Sequence, residues 1–349
     1  MYIVIAILAF GIIIAIHEIG HYLSAKSLGV KVNEFAIGMG PKLLKKQGKE
    51  TLYSLRALPF GGFCAMEGEH EEGEDPDPRS FLSQKRWRRI IILAAGSIAN
   101  LIAAFIIIFI LSAGSEGFLG TTIYEVTDSM PNVGPSELMA GDTLISINGE
   151  RLFYYEDYRL FMEYNAKKPI VFILERNGER FEYMRRSYLV DEQEQFRYSI
   201  KFNIIENTLW ESLKYSIHQP YHFMRMIRVS ISMMFNGSAR VEDLAGPVGI
   251  VSAMNTIGQQ SDTRVEAFSR IAYFTAFIGV NVAVINLMPI PAMDGGRILF
   301  TIVTWIIEKI SRRKLDPKYE GYINTGAFVL LIGLMVIIFY NDVMRLITG

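Results

Sequence analysis

The chain has one cysteine, Cys64, among 349 residues. A lone thiol excludes an intrachain disulfide and cannot build a cysteine-based zinc site. Cys64 therefore reads as a small buried or loop residue. A surplus of charge is also missing. The 35 Lys and Arg residues against 36 Asp and Glu leave a net charge of −1, which argues against a nucleic-acid partner. No internal repeat is visible. The apolar N-terminus has no basic flank and no small-residue cleavage site, so it is expected to be a mature helix rather than a signal peptide. Hydrophobicity is abundant. Half of the residues are hydrophobic, 12% are aromatic and the mean hydropathy is +0.24. A soluble domain is ordinarily more polar, so the composition predicts an integral membrane protein.

Four runs are long enough to span a bilayer. The first extends from Met1 to about Leu28 and the second from Ile90 to Ser112, with Asn100 as its most polar interruption. The third, Ile271 to about Ile290, is broken by Asn281, Asn286 and Pro289, and the fourth is Ile323–Tyr340. Lys42, Lys45, Lys46, Lys49 and the run Lys85-Arg86-Trp87-Arg88-Arg89 lie between spans one and two. Arg297, Lys309, Arg312, Arg313, Lys314 and Lys318 follow span three. The positive-inside rule makes both segments cytoplasmic. Two spans separate them, so the assignments agree, and the N-terminus, residues 113–265 and the C-terminus are then outside.

Residues 118–205 are more polar. Alternating runs at Thr143–Ile147, Ile170–Leu174 and Tyr198–Phe202 read as strands. Asn148-Gly149 and Asn177-Gly178 read as hairpin turns, and Tyr154–Tyr164 reads as one helix. The acidic run from Gly68 to Pro78, which holds His70, reads as a solvated loop.

Chemistry concentrates at His17-Glu18-Ile19-Gly20-His21, an H-E-x-x-H pattern at the inner end of span one. On a helix, residues four apart lie about 40° from each other around the axis, so His17 and His21 can share a metal ion while Glu18 reaches a metal-bound water. Two imidazoles and a carboxylate in an apolar helix are expensive and point to function. Zinc bound by two histidines needs a third protein ligand. Asp294, after the Pro289/Pro291 break and at the same expected depth, is the candidate. Irregular backbone at that depth must line protein or a wet cavity. His218 and His222 repeat the spacing. There Gln219 replaces the acid, Pro220 intervenes, and 208–235 reads as an amphipathic surface helix, so the sequence favours the first pair.

HEIGHYLSAK, FAIGMGPKLL, LPFGGF, AGSIAN, AGDTLISINGE, LAGPVGI and NLMPIPAMDGGR occur in the order seen in bacterial site-2 proteases, which this chain resembles over nearly its whole length. The resemblance implies a polytopic α-helical membrane protein with four transmembrane helices. It adds a membrane-associated β-hairpin and an inserted extracytoplasmic β-rich PDZ-like domain. The implied organisation is 1–112 with the first two spans, 118–205 as the PDZ-like domain, 206–265 as an amphipathic surface helix and connector, and 266–349 with the last two spans. It implies Zn2+ held by His17, His21 and Asp294, with Glu18 as catalytic base. Gly96 and Asn100 match the family's Gly-x-x-x-Asn on span two, with Ser97 where proline is frequent. Phe35–Pro41 and Thr51–Leu58 are expected to form a hairpin that adds a strand from an unwound substrate. Gly38 and Gly40 would permit close backbone approach. Asn100, Asn286, Pro289 and Pro291 are the other expected substrate-facing positions, Asn286 either holding a substrate amide or packing within its span. No Gly-Leu-Gly-Phe-like carboxylate loop stands at Phe118–Gly120, a departure that argues against capture of a C-terminal carboxylate. The expected substrates are single-span proteins in the bacterial cytoplasmic membrane, such as anti-sigma factors and remnant signal peptides, trimmed outside first by a site-1-type protease.

Two rival classes are a metal-ion transporter using the same three ligands and an inactive PDZ scaffold. Transport gives no reason for Glu18, and a scaffold gives none for an intact metal and base set.

Overall fold

Four helices among the described residues are long and apolar enough to cross a membrane. The computed structural model describes residues 2–69, 77–126, 138–165, 169–185, 200–237, 246–312 and 318–348. His70 and most of the acidic run lie outside them, as do Tyr198 and residues 313–317. The chain divides into two units, Met1–Ile108 with Met233–Gly349, and Phe109–Ser232.

The first unit begins with α1 (Tyr2–Ser27), followed by the antiparallel pair β1 (Val32–Gln47) and β2 (Leu52–Met66), and then α2 (Arg86–Ala113). Helix α2 starts within the basic run, four residues before the apolar stretch. After the second unit come α5 (Pro247–Gln259), α6 (Arg264–Leu287), α7 (Asp294–Ser311) and α8 (Lys318–Thr348). Thr263 caps α6 by accepting the Glu266 N–H at 3.1 Å, a normal role for threonine. The helix ends three residues before the apolar run does. Met288 is extended, with ψ 146°, because the residue before a proline avoids the helical region. The sequence pattern reads 291–322 as a basic loop, but an 18-residue helix, α7, fills most of it. Pro291 and the Gly295-Gly296 pair look like loop signals; here they form the entry to a helix. None of the apolar window of α8 is buried. Such exposure suits a lipid-facing helix and would be a liability in water.

Two apolar clusters hold this unit. Ala6, Ile13, Met254, Ile271 and Ile278 join α1, α5 and α6. Ala25, Val32, Phe35, Met66, Phe81 and Ile92 join the end of α1, the hairpin and the start of α2.

The second unit contains β3 (Gly117–Val126), β4 (Thr143–Ile147), β5 (Glu150–Arg151), α3 (Tyr155–Tyr164), β6 (Ile170–Arg176), β7 (Glu179–Arg185), β8 (Ile200–Glu206) and α4 (Leu209–Phe235). The strand order is β7-β6-β4-β3-β8, with β5 paired to β4. Asn148 and Asn177 have φ of 48° and 52°, each followed by a glycine at 84°. These are the left-handed values that a tight hairpin turn requires. Leu144, Ile147, Phe161, Phe172 and Leu174 are at most 1% exposed and form its core.

Asp142 anchors β4 to β6. Arg176 donates to both carboxylate oxygens at 2.6 and 2.8 Å, and the Met139 N–H adds a third bond at 2.9 Å. Burial pushes the carboxyl up, but these donors outweigh it and hold it below the ordinary aspartate value. A lowered folded-state pKa stabilises the fold fully above the unfolded value of about 3.9 and loses that contribution as pH falls through the folded value. Asp142→Asn should therefore lower local stability at neutral pH by about 1–3 kcal/mol and should flatten its acid dependence below about pH 4. Hydrogen-exchange protection of β6 amides measures both, and unchanged protection would remove Asp142 as an anchor.

Candidate metal centre

Two helices approach through residues without side chains. A Cβ on Gly20 would fall 2.4 Å from the Ala95 carbonyl oxygen, and one on Gly96 would fall 2.4 Å from His21 Nε2 and 2.7 Å from His17 Cε1. Backbone contact between α1 and α2 therefore seats both imidazoles against α2. His21 Nδ1 donates to the Ile92 carbonyl at 2.8 Å. A carbonyl can only accept, so the proton is on Nδ1 and Nε2 presents a lone pair.

The third donor arrives from α7. Gly295 and Gly296 have no room for a Cβ, which would lie 2.2 Å from the carbonyl oxygens of Leu287 and Ile290 respectively. The broken segment thus folds tightly onto the first turn of α7. Ala292 takes a left-handed φ of 72°, and its N–H donates to Asn324 of α8 at 3.1 Å. Asp294 Oδ2 then lies 3.2 Å from both His17 Nε2 and His21 Nε2, and the two nitrogens are 3.1 Å apart. A tetrahedral zinc at about 2.0–2.1 Å from each ligand separates its ligand atoms by about 3.3 Å. The triangle has that size. Two ring nitrogens facing each other with at least one lone pair between them also favour a cation. The residues present fit a zinc ion.

A cavity of about 710 Å3 opens on this triangle, and Glu18, Cys64 and Asn286 also line it. The Asn286 amide nitrogen is 3.4 Å from His17 Nε2. Strand β2 crosses beside Glu18, where a Cβ on Gly62 would be 3.2 Å from Glu18 Cγ. The expected substrate-facing positions do not all gather here. Gly38 and Gly40 have left-handed φ of 84° but pack against Leu58, outside the cavity lining. Pro289, Pro291 and Asn100 are also outside it. Asn100 is 1% exposed, and neither its amide nitrogen nor its amide oxygen has a hydrogen-bond partner among the described residues. Sequence reasoning missed Gly62, whose signal was the glycine pair in LPFGGF, and Arg297, which donates to Glu69 at 2.6 Å on the cavity wall.

Gly96 offers a test of the packing. Gly96→Val should drive the imidazoles off their positions and lower metal retention. Elemental analysis of the purified variant reads this directly, and wild-type metal content would refute the contact.

The second histidine pair is also buried. Pro220 is accommodated inside α4, so His218 and His222 remain one turn apart, and Asp157 of α3 lies between them.

The sequence model of peptidase family M50 matches residues 5–334. A protein of Clostridium acetobutylicum described as a zinc metalloprotease is 36% identical over 351 residues, covering 98% of this chain and 97% of the relative. A Clostridium perfringens protein of the same description is 33% identical over 347 residues, 98% of each chain. A protein of Enterococcus faecalis described as the protease eep is 25% identical over 424 residues, 97% of this chain and 98% of the relative. A match over nearly all of its length, on the same helices that gather His17, His21 and Asp294, means that the chain belongs to peptidase family M50.

Proposed function

We propose that the protein cleaves peptide bonds within or beside the transmembrane segments of single-span membrane proteins. The enzyme is a zinc metalloendopeptidase and a multi-pass membrane protein. The observation that carries the reading is the triangle of His17, His21 and Asp294 with Glu18 beside it, lining one cavity among spanning helices. His17, His21 and Asp294 would hold the ion. Bound zinc supplies a Lewis acid and an acidified water. Glu18 takes a proton on its carboxylate and returns it to the leaving amine. Neither metal transport nor scaffolding calls for this acid next to the ligands.

A membrane helix hides its carbonyls in internal hydrogen bonds, so a substrate must be opened into an extended strand before attack. Strand β2 supplies backbone beside Glu18 at Gly62, and strand addition along the β1–β2 pair presents the opened segment there. Asn286, beside His17, either contacts the substrate amide or steadies that imidazole. The positive-inside rule applied to the basic segments supports a site toward the cytoplasmic side of a bacterial cell membrane, with the β-rich unit outside. Anti-sigma factors and remnant signal peptides, trimmed first by an outer protease, are the substrates this arrangement suits. The decisive experiment incubates purified protein with single-span candidates and maps the cut, with chelator and Glu18→Gln controls. Cuts confined to soluble loops, or unaffected by chelator, would refute the reading.

The β-rich unit serves as a PDZ-like filter against bulky external domains. Phe118 and Leu119 pair with Ile205 and Ile204 in the sheet, so the stretch is committed to a strand and leaves no open carboxylate loop. The chain enters this unit straight from α2 and leaves it through α4, so the unit is tethered at both ends. Gly117 and Glu206 are paired across β3 and β8. A short linker from Gly117 to Asn207 can therefore replace residues 118–206. That deletion should leave cleavage of trimmed substrates largely intact and raise cleavage of untrimmed ones. Equal discrimination in cells with and without the unit would leave it a spacer.

A further inference from the structure

The second unit holds a buried side-chain cluster that the peptidase chemistry does not use. Asp157, in the first turn of α3, is fully buried, and His218 and His222 on α4 are 8% and 5% exposed. The donor set repeats that of the first centre, with two histidines one helical turn apart and one aspartate from the start of another helix. The potential ligand atoms of the three residues lie within 4.8 Å of one another.

The contacts on Asp157 are unequal. Its Oδ1 accepts from His222 Nδ1 at 2.8 Å and lies 3.0 Å from Arg225 Nη1. Its Oδ2 accepts the Phe153 N–H at 3.0 Å and lies 3.0 Å from His218 Nε2. Among the described residues the His218 Nε2 contact to Oδ2 is short but poorly aligned for a hydrogen bond, and that nitrogen has no better-aligned partner. A buried ring nitrogen in that state needs a reason, and a cation seated between the nitrogen and Oδ2 provides one.

Arg225 is the obvious competitor, because a guanidinium beside the same carboxylate repels a metal ion. It is engaged elsewhere as well. Its Nη2 donates to the Arg151 carbonyl at 2.7 Å and lies 3.6 Å from Glu150 Oε2. It meets Asp157 at Oδ1, 3.0 Å from Nη1. Glu150 thus shares its charge, and Oδ2, which accepts only one backbone N–H among the described residues, keeps a lone pair toward His218 for a second cation.

We propose that Asp157, His218 and His222 form a second metal site, suited to a divalent transition ion that imidazole favours, such as zinc, cobalt or nickel, which joins α3 to α4. Two imidazole nitrogens and one carboxylate oxygen are a sufficient protein ligand set for such ions. His222 binds through Nδ1 as the tautomer protonated on Nε2, the ring proton moving between the two nitrogens by exchange with water, and the Asp157 carboxylate turns from accepting the Nδ1 proton to ligating the ion. The site sits in the β-rich unit, so it stands or falls independently of the peptidase reading.

The test uses the purified full chain with His17→Ala and His21→Ala, which leaves this cluster as the histidine-rich donor set. Titration with Co2+ should saturate at about one equivalent and develop the visible absorption of cobalt held by nitrogen and oxygen. Adding His218→Gln and His222→Gln should abolish the bands. A second measurement leaves both clusters unaltered. Zinc-loaded wild type should carry about two zinc ions per chain, and the His218→Gln/His222→Gln variant about one. No cobalt bands together with a single zinc in the wild type would overturn the proposal and leave a hydrogen-bonded ion cluster. A second zinc that survives His218→Gln/His222→Gln would overturn it as well.

Discussion

Glu18→Gln should retain its zinc and lose peptide cleavage by at least about 10²-fold, the lower end of what general acid–base catalysis contributes. The substituted amide keeps the shape of the side chain, so the close passage of β2 at Gly62 is preserved. It removes the carboxylate that can hold a proton. His17 and His21 occupy the neighbouring ligand positions and are unaltered, so the metal content should match wild type. Turnover and elemental analysis on the same preparation separate the two effects. Near-normal turnover would refute Glu18 as base. A parallel loss of zinc would instead make Glu18 part of the metal scaffold.

Asp294→Ala should empty the first centre. The two histidine nitrogens stand 3.1 Å apart, and Asp294 supplies the anion that completes their triangle. Without it a divalent ion is left with two neutral ligands and an uncompensated charge in an apolar setting. The loss of affinity should exceed the roughly 10–100-fold typical of removing an outer partner of a metal ligand. Activity should disappear with the metal, and the zinc content should fall by one equivalent relative to wild type. Unchanged zinc content would mean that Asp294 is not a ligand. Zinc that disappears only with His218 and His222 would assign the ion to the other cluster.

These two experiments probe residues that differ in how openly the sequence displays them. The apolar runs, the H-E-x-x-H spacing and the Asn-Gly turns all depend on residues within a few positions of each other. Helical and strand periodicity therefore make α1, α2, α6, α8 and the β6–β7 hairpin legible without any tertiary information. Helix α7 was hidden because its entry carries proline and two glycines, which locally signal a loop. Their purpose is tertiary: they let the 287–291 backbone press against the first turn of the helix.

From the sequence alone follow a membrane-embedded helical protein with a β-rich insertion and a helix face bearing two histidines and an acid. Tertiary structure decided which distant groups meet that face. Asp294 reaches His17 across the whole chain because Gly20, Gly96, Gly295 and Gly296 allow backbone approaches that any Cβ would block. It also placed Gly62, rather than Gly38 or Gly40, beside Glu18, and brought Asp157 between His218 and His222. A glycine at a crossing point contributes only a missing atom. Nothing in its own neighbourhood names the partner that fills the space, so such contacts become visible only when the chain is folded.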